Sequence, residues 1–215
     1  MHYWVLGQKN TGEYSGYLTP LDGDLDHVEL VDTSIDIGTK PIMQSHVMTA
    51  GRCVKPDRLP RKVGHDMSAD RIDDLALVHT YYTVSEPLRA LIEKFAPGDV
   101  QYEPFEVFGA RDGAFQQKRY WFIPTVRLHA MDKDKTKPGF TRKGYFEFGR
   151  PWGEMHIVFD ASKTDGRALF ATAEFPRIFF VNETLAEAIE ASGLTGAQFM
   201  WKFPAYPSGP EMGHG

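Results

Sequence analysis

The chain has 215 residues, 42% hydrophobic and 25% charged, which is long enough to bury a continuous core and too apolar for disorder to dominate. The formal net charge of −5 is mild, and the only cysteine, Cys53, excludes an intrachain disulfide framework and a cysteine-built zinc site. No segment approaches the roughly 20 apolar residues that cross a bilayer. The start, MHYWVLGQKNTGEYSG, lacks the basic and then apolar pattern of a secretory signal, so a cytoplasmic location is expected.

HYWVL, residues 2 to 6, is β-branched and aromatic enough for a strand, and Gly7 is expected to end it. GYLTPLDGDLDHVELVDTS, residues 16 to 34, alternates turn residues with Leu25, Val28, Leu30 and Val31 and predicts short strands or an irregular acidic face. From Met1 to Asp36 seven acids (Glu13, Asp22, Asp24, Asp26, Glu29, Asp32, Asp36) face one base, Lys9. From Lys40 to Asp74 the pattern weakens around two prolines and the bases Lys55, Arg58, Arg61 and Lys62, which predicts a linker or a long functional loop.

LALVHTYYTV, residues 75 to 84, predicts one strand running into a helix. Ser85 is suited to cap that helix, Glu86 to its positive end and Pro87 to its first turn. Leu88, Leu91, Ile92 and Phe95 share one helical face, and Pro97 and Gly98 stop the helix before VQYEPFEVF resumes as strand. Asp112-Gly113 and Thr164-Asp165-Gly166 each stand between strand-like runs and predict hairpins. DKDKTKPGFTRKG between them predicts an exposed basic loop. There Lys133, Lys135, Lys137, Arg142, Lys143 and Arg150 outnumber Asp134 and Glu147.

IFFV, residues 178 to 181, begins a second copy of strand, helix and strand. VNETLAEAIEASGLTGAQF aligns without a gap on VSEPLRALIEKFAPGDVQY when 97 is added to each number of the first copy (86 becoming 183), so Glu86 meets Glu183, Leu88 meets Leu185, Ile92 meets Ile189 and Gln101 meets Gln198. Asn182 is placed to cap, Leu185, Ala188 and Ile189 to form the inner stripe, and Gly193 to terminate. Residues from Pro204 onward are rich in glycine and proline and predict a loose tail. The expected class is α+β, mostly β, with two repeated strand-helix-strand units and hairpins and the helices packed on a sheet.

Chemical motifs are scarce. GxxxxGK[ST], GxGxxG after a strand, GxSxG, HExxH and HxE with PCxxC are all missing. Asp22, Asp24 and Asp26 resemble a calcium loop only in part, because the glycine and the closing glutamate that such a loop needs are replaced by His27 and Thr33. His65, Asp66, Asp70, Asp73 and Asp74 gather titratable groups as an acid or base catalyst requires, but they also read as the polar start of a turn with Ser68 as cap. Arg119, Tyr120 and Trp121 with the basic loop suggest stacking on bases, an arrangement that half-buried strands also produce. His79, His129 and His156, and Trp121, Trp152 and Trp201, fit packing or edge positions equally well. No catalytic residue, metal or cofactor is expected.

Leu59-Pro60, VSEPLRALIEKFAPGDVQYEPFEV, the Asp112-Gly113 turn, YWFIPTVRLHAMD and IFFVNETLAEAIEASGLTGAQF together resemble the immunity proteins numbered eleven among bacterial polymorphic-toxin systems. The resemblance covers about residues 59 to 203, with residues 1 to 58 an acidic region and linker packed on that core and 204 to 215 a tail. It implies a non-enzymatic antidote used in interbacterial competition, which binds a cognate toxin and occludes its active site. On that reading Asp22, Asp24, Asp26, Glu29, Asp32 and Asp36 are suited to plug a basic cleft. Lys135, Lys137, Arg142 and Lys143 suit an acidic one. A membrane partner is not expected, and the acidic whole weighs against nucleic acid. A nucleic-acid-binding module and an enzyme with an unrecognised site are the rival readings.

Overall fold

The structure is a computed structural model that describes residues 1–9, 17–32, 44–66, 71–109, 117–147, 154–176 and 178–207. In chain order its strands are β1 (His2–Gln8), β2 (Leu18–Pro20), β3 (Lys62–His65), β4 (Leu75–Val78), β5 (Tyr81–Val84), β6 (Val100–Gly109), β7 (Gln117–Pro124), β8 (Arg127–Leu128), β9 (Phe159–Asp160), β10 (Leu169–Thr172), β11 (Phe179–Asn182) and β12 (Ala197–Tyr206). The α-helices are α1 (Glu86–Phe95), the single turn α2 (Ala161–Thr164) and α3 (Glu183–Ala191). The fold is α+β and mostly β, with two six-stranded sheets ordered β2-β3-β6-β7-β5-β4 and β8-β10-β11-β1-β12-β9.

Both repeated helices form for local reasons. The Ser85 hydroxyl accepts the Leu88 N–H at 3.3 Å, and the Asn182 side chain accepts the Leu185 N–H at 2.9 Å, satisfying an amide that the first turn leaves free. Leu88 and Ile92 on α1, and Leu185 and Ile189 on α3, are buried in one cluster with Leu6, Val84, Phe122 and Val181. Each such side chain contributes about 1.5–3 kcal/mol when taken from water. The inner stripe of α3 is completed by Ala186, and the half-buried Ala188 lies beside it.

The repeat extends well beyond the two helices. Adding 97 takes β6 onto β12 over its full length, from Val100 and Gly109 to Ala197 and Tyr206, and takes Lys62 of β3 onto Phe159 of β9. In one half β3 runs parallel to β6, while β6, β7, β5 and β4 follow antiparallel. In the other half β9 runs parallel to β12, while β12, β1, β11 and β10 follow antiparallel. The strand between the two arms of each repeat is therefore β7 in the first half and β1 in the second. β7 follows its β6 directly, whereas β1 comes from the opposite end of the chain, and the Ala205 N–H donates to the Met1 carbonyl at 2.9 Å. The second half is a circular permutation of the first.

Each sheet buries its other face under the irregular segment that precedes its parallel strand. Leu25, Val28, Leu30, Val47, Met48 and Val54 cover Phe105, Val107, Trp121 and Ile123 of the first sheet. Ala130, Met131, Phe146, Met155 and Ile157 cover Tyr3, Phe170, Phe180 and Phe203 of the second.

Several expectations need correction. β1 continues through Gly7 to Gln8 because both its edges are paired. The run 75 to 84 is a hairpin, β4 and β5, turning at His79 with φ +56°. The stretch expected to be a linker contains β3, where Val63, Gly64 and His65 are buried and pair with both β2 and β6. Thr164-Asp165-Gly166 makes no hairpin, since β9 pairs with β12 and β10 with β8 and β11. Pro204, Ala205 and Tyr206 are the last residues of β12. The Asp112-Gly113 turn lies outside the described residues, although β6 and β7 pair antiparallel on either side of it.

Candidate functional site

The acidic segment is folded against bases from the segment after it. Asp22 accepts the Arg61 and Lys62 backbone N–H groups at 2.8 and 2.9 Å. Asp24 accepts the Asp26 N–H at 3.2 Å and lies 2.6 Å from His27. Slight burial pushes its carboxyl upward, but the His27 contact prevails and holds it below the usual carboxylate range. Glu29 meets Lys55 at 2.8 Å, whose hydrogen bond holds its carboxyl low, and Asp32 meets Arg52 at 3.3 Å. The Asp26 carboxylate makes no hydrogen bond or ion pair among the described residues, although burial and then its charge raise the Tyr81 hydroxyl, and Asp36 lies outside them. Within the predicted patch, Glu29 and Asp32 are therefore paired with side-chain cations of their own chain, and Asp22 is tied down by backbone amides.

The basic loop is built differently. Asp132 accepts the Asp134 and Lys135 N–H groups, both at 3.1 Å, and its carboxylate stands 3.0 Å from the Lys135 ammonium. Partial burial pushes the Asp132 carboxyl up, and the Lys135 hydrogen bonds outweigh that and hold it low. Lys137 exchanges backbone hydrogen bonds with His156 at 2.9 and 3.1 Å. Beyond it Phe140 bridges to Phe146, and a tight turn closes where the Thr141 N–H meets the Tyr145 carbonyl and the Gly144 N–H meets the Thr141 carbonyl, both at 2.8 Å. Phe146 packs on Phe175 with ring centres 5.8 Å apart. Arg142 and Lys143 stand exposed at the tip of this braced turn, with no carboxylate within 4 Å among the described residues. The acidic and basic segments cover different sheets, so the fold does not bring them together.

The rival sites are taken up by structure. Arg119 is 0% exposed and donates to the backbone carbonyls of Asp73 and Asp74 at 2.7 and 3.1 Å. Burial pulls its guanidinium down to about 10 despite the nearby Asp74 and Asp73. The buried Trp121 donates its indole N–H to the Pro60 carbonyl at 2.9 Å, and Arg89 lies 4.9 Å from the Tyr120 ring centre. Arg119 and Trp121 are therefore out of reach of a nucleic-acid backbone. His65 is buried in β3, with its imidazole pulled down by burial, and Asp74 is committed to Ser85 and Thr195. Asp70 and Trp152 lie outside the described residues. Among the described residues no three His, Cys, Asp or Glu side chains converge as a metal ion would require, and no helix is long and apolar enough to cross a membrane.

Sequence reading missed a groove on the helix-side face of the first sheet, about 370 Å³ in volume and lined by Arg61, Lys62, Pro104, Phe105, Glu106 and Lys118. Its floor is a cross-strand row, Lys62 opposite Glu106 and Glu106 opposite Lys118. The three residues lie 12 to 56 positions apart, taking 118 minus 106 and 118 minus 62, so only the strand register reveals them.

These observations define a duplicated α+β scaffold whose buried polar groups hold the fold and whose unpaired charges lie at its surface. The chain belongs to the immunity protein family Imm11, whose family model matches residues 28–201. The match starts earlier than residue 59, taking in Glu29, Asp32 and Asp36 and leaving out Asp22, Asp24 and Asp26. No curated protein matches the chain.

Proposed function

We propose that this protein is a cytoplasmic antidote that binds the toxin encoded beside it and occludes the toxin's active site. Membership of the immunity family over residues 28–201 is the observation that carries the reading. The charge arrangement supports the basic turn as a contact surface over the acidic segment. Glu29 and Asp32 already face Lys55 and Arg52, while Arg142 and Lys143 have no such partner among the described residues and sit on a turn braced by Phe140 and Phe146. Preorganised, unpaired cations speed encounter with an acidic face, and the rest of the interface sets how long the complex lasts. Lys135 and Lys137 flank that turn, and Asp26 is the acid best placed for a secondary contact. Co-expression with the adjacent toxin gene tests the reading: cells survive when both are made and die with the toxin alone. Death in both cases would overturn it.

A further inference from the structure

The two halves of the molecule differ most informatively beside their helices. In each, a lysine rides over the aromatic ring at the matching position of the central strand, Lys202 at 5.2 Å from the Trp4 ring centre and Lys118 at 5.5 Å from that of Tyr120. In the second half Glu183, at the start of α3, bonds the Lys202 ammonium and also stands 3.9 Å from His2. The matching residue of the first half, Glu86, is turned instead to Arg89, which it meets through two bonds at 2.5 and 3.0 Å. Lys118 is thus left without a carboxylate within 4 Å among the described residues, and so is Lys62. Arg61, the third cation of the groove, reaches Glu103 only at 3.7 Å and the Pro104 carbonyl at 3.4 Å.

An apolar anchor borders the same face. The Leu21 N–H donates to the Lys62 carbonyl at 2.9 Å, and the Leu21 side chain lies over Gly64, whose added Cβ would come within 3.1 Å of it. Leu21 is nevertheless 58% exposed, and its neighbour along this edge, Tyr17, is 82% exposed. A large exposed aliphatic side chain beside Pro104 and two lysines that, among the described residues, have no carboxylate within 4 Å has the makeup of an interface centre with a charged rim.

We infer that the groove over Lys62, Glu106 and Lys118 receives an acidic segment of the toxin, whose carboxylates meet Lys62, Lys118 and Arg61 while an apolar residue packs on Leu21. This rests on the antidote reading and adds to it a second contact surface, on the half of the molecule away from the basic turn. A protein segment is favoured over nucleic acid because the chain as a whole carries −5. The groove sets two cations, Lys62 and Lys118, on either side of Glu106 with Arg61 at its border, which is too short a run to track a nucleic-acid backbone.

The test is the affinity of the purified full chain for the adjacent toxin domain, at low and at physiological salt. Lys62→Glu with Lys118→Glu, and separately Leu21→Ala, are compared with the unchanged protein, and thermal melts confirm that both variants fold. The charge reversal is expected to weaken the complex about tenfold or more, chiefly by slowing association at low salt, and Leu21→Ala to speed dissociation. Affinities within about twofold of the unchanged protein for both variants, with its own complex intact, would overturn the groove assignment and leave the antidote reading standing. No complex with the unchanged protein would overturn both. A single-stranded oligothymidylate that binds the unchanged protein but not the charge-reversed one, with toxin affinity unaltered, would give the groove to nucleic acid and also overturn the assignment.

Discussion

The Asp74 carboxylate accepts the Thr195 backbone N–H at 2.8 Å across 121 residues of chain. Its other oxygen accepts the Ser85 hydroxyl at 2.5 Å, so one side chain joins the cap of α1 to the turn that follows α3. The reverse contact joins the turn after α1 to the second half, where Arg167 meets Asp99 at 2.6 Å. Each half thus holds the helix exit of the other. Asp74→Ala should lower stability by about 1–3 kcal/mol, because Thr195 and Ser85 lose a charged acceptor. Urea unfolding with an unchanged midpoint would show that the clasp contributes nothing.

Gly196 sits inside that clasp with φ +85°, and a Cβ there would strike the Leu75 carbonyl oxygen and the Asp73 side chain. Gly196→Ala should cost about 2 kcal/mol or more, since positive φ strain and backbone collision add. Gly98 has φ +73° with nothing near its Cβ position, so Gly98→Ala should cost less. Equal losses in melting temperature for the two variants would contradict this account.

Glu86 shows a pH dependence of definite sign. Its hydrogen bonds from Arg89 and then Tyr120 hold its carboxyl at about 2, below the ordinary value of 4.5. A depressed folded-state value means that the ion pair stabilises the protein above about pH 4.5 and is lost as pH falls toward 2. The Glu86 side chain is 50% exposed, so screening limits the gain to about 1 kcal/mol at most. Glu86→Gln should lower stability between pH 6 and 8 by up to that amount, flatten the acid-side slope and converge with the unchanged protein near pH 2, as read from unfolding midpoints across pH.

Glu174 runs the other way. Burial raises its carboxyl above the usual range, and the His129 imidazole 3.6 Å away only partly opposes the rise. The folded state therefore favours the protonated form, and stability contributed at low pH is lost as pH climbs through the raised value. Glu174→Gln should gain on the unchanged protein as pH rises above the ordinary carboxyl value of 4.5. Parallel stability curves for the two would refute this.

The two capped helices could be read directly, because Ser85, Asn182, Gly193 and the stripes of Leu88 with Ile92 and Leu185 with Ile189 act within a few residues of one another. The permuted strand could not, since nothing local in HYWVL distinguishes a sheet centre flanked by residues 179 to 182 and 197 to 204 from an edge. The turn at His79 carries no glycine or asparagine, so its hairpin read as one strand. The acidic face looked like a free patch because Arg52 and Lys55 pair with acids 20 and 26 positions earlier, and Asp22 takes the Arg61 backbone N–H, which charge counting along the chain does not register.

The basic turn makes a separable prediction. Arg142→Glu with Lys143→Glu should slow association with the toxin about tenfold at low salt while leaving the melting temperature within a degree or two, because both side chains are exposed and meet no carboxylate among the described residues. Reversal of Asp22 would instead unseat the Arg61 and Lys62 amides and lower stability, which separates a contact residue from a scaffold one.

The most direct test of the central claim titrates the purified protein into the purified adjacent toxin domain while the toxin's own reaction is followed. Direct occlusion predicts that activity falls in proportion to added protein and is abolished at the stoichiometry of the complex seen by size-exclusion chromatography. Full toxin activity at saturating protein, or inhibition without a stable complex, would contradict it.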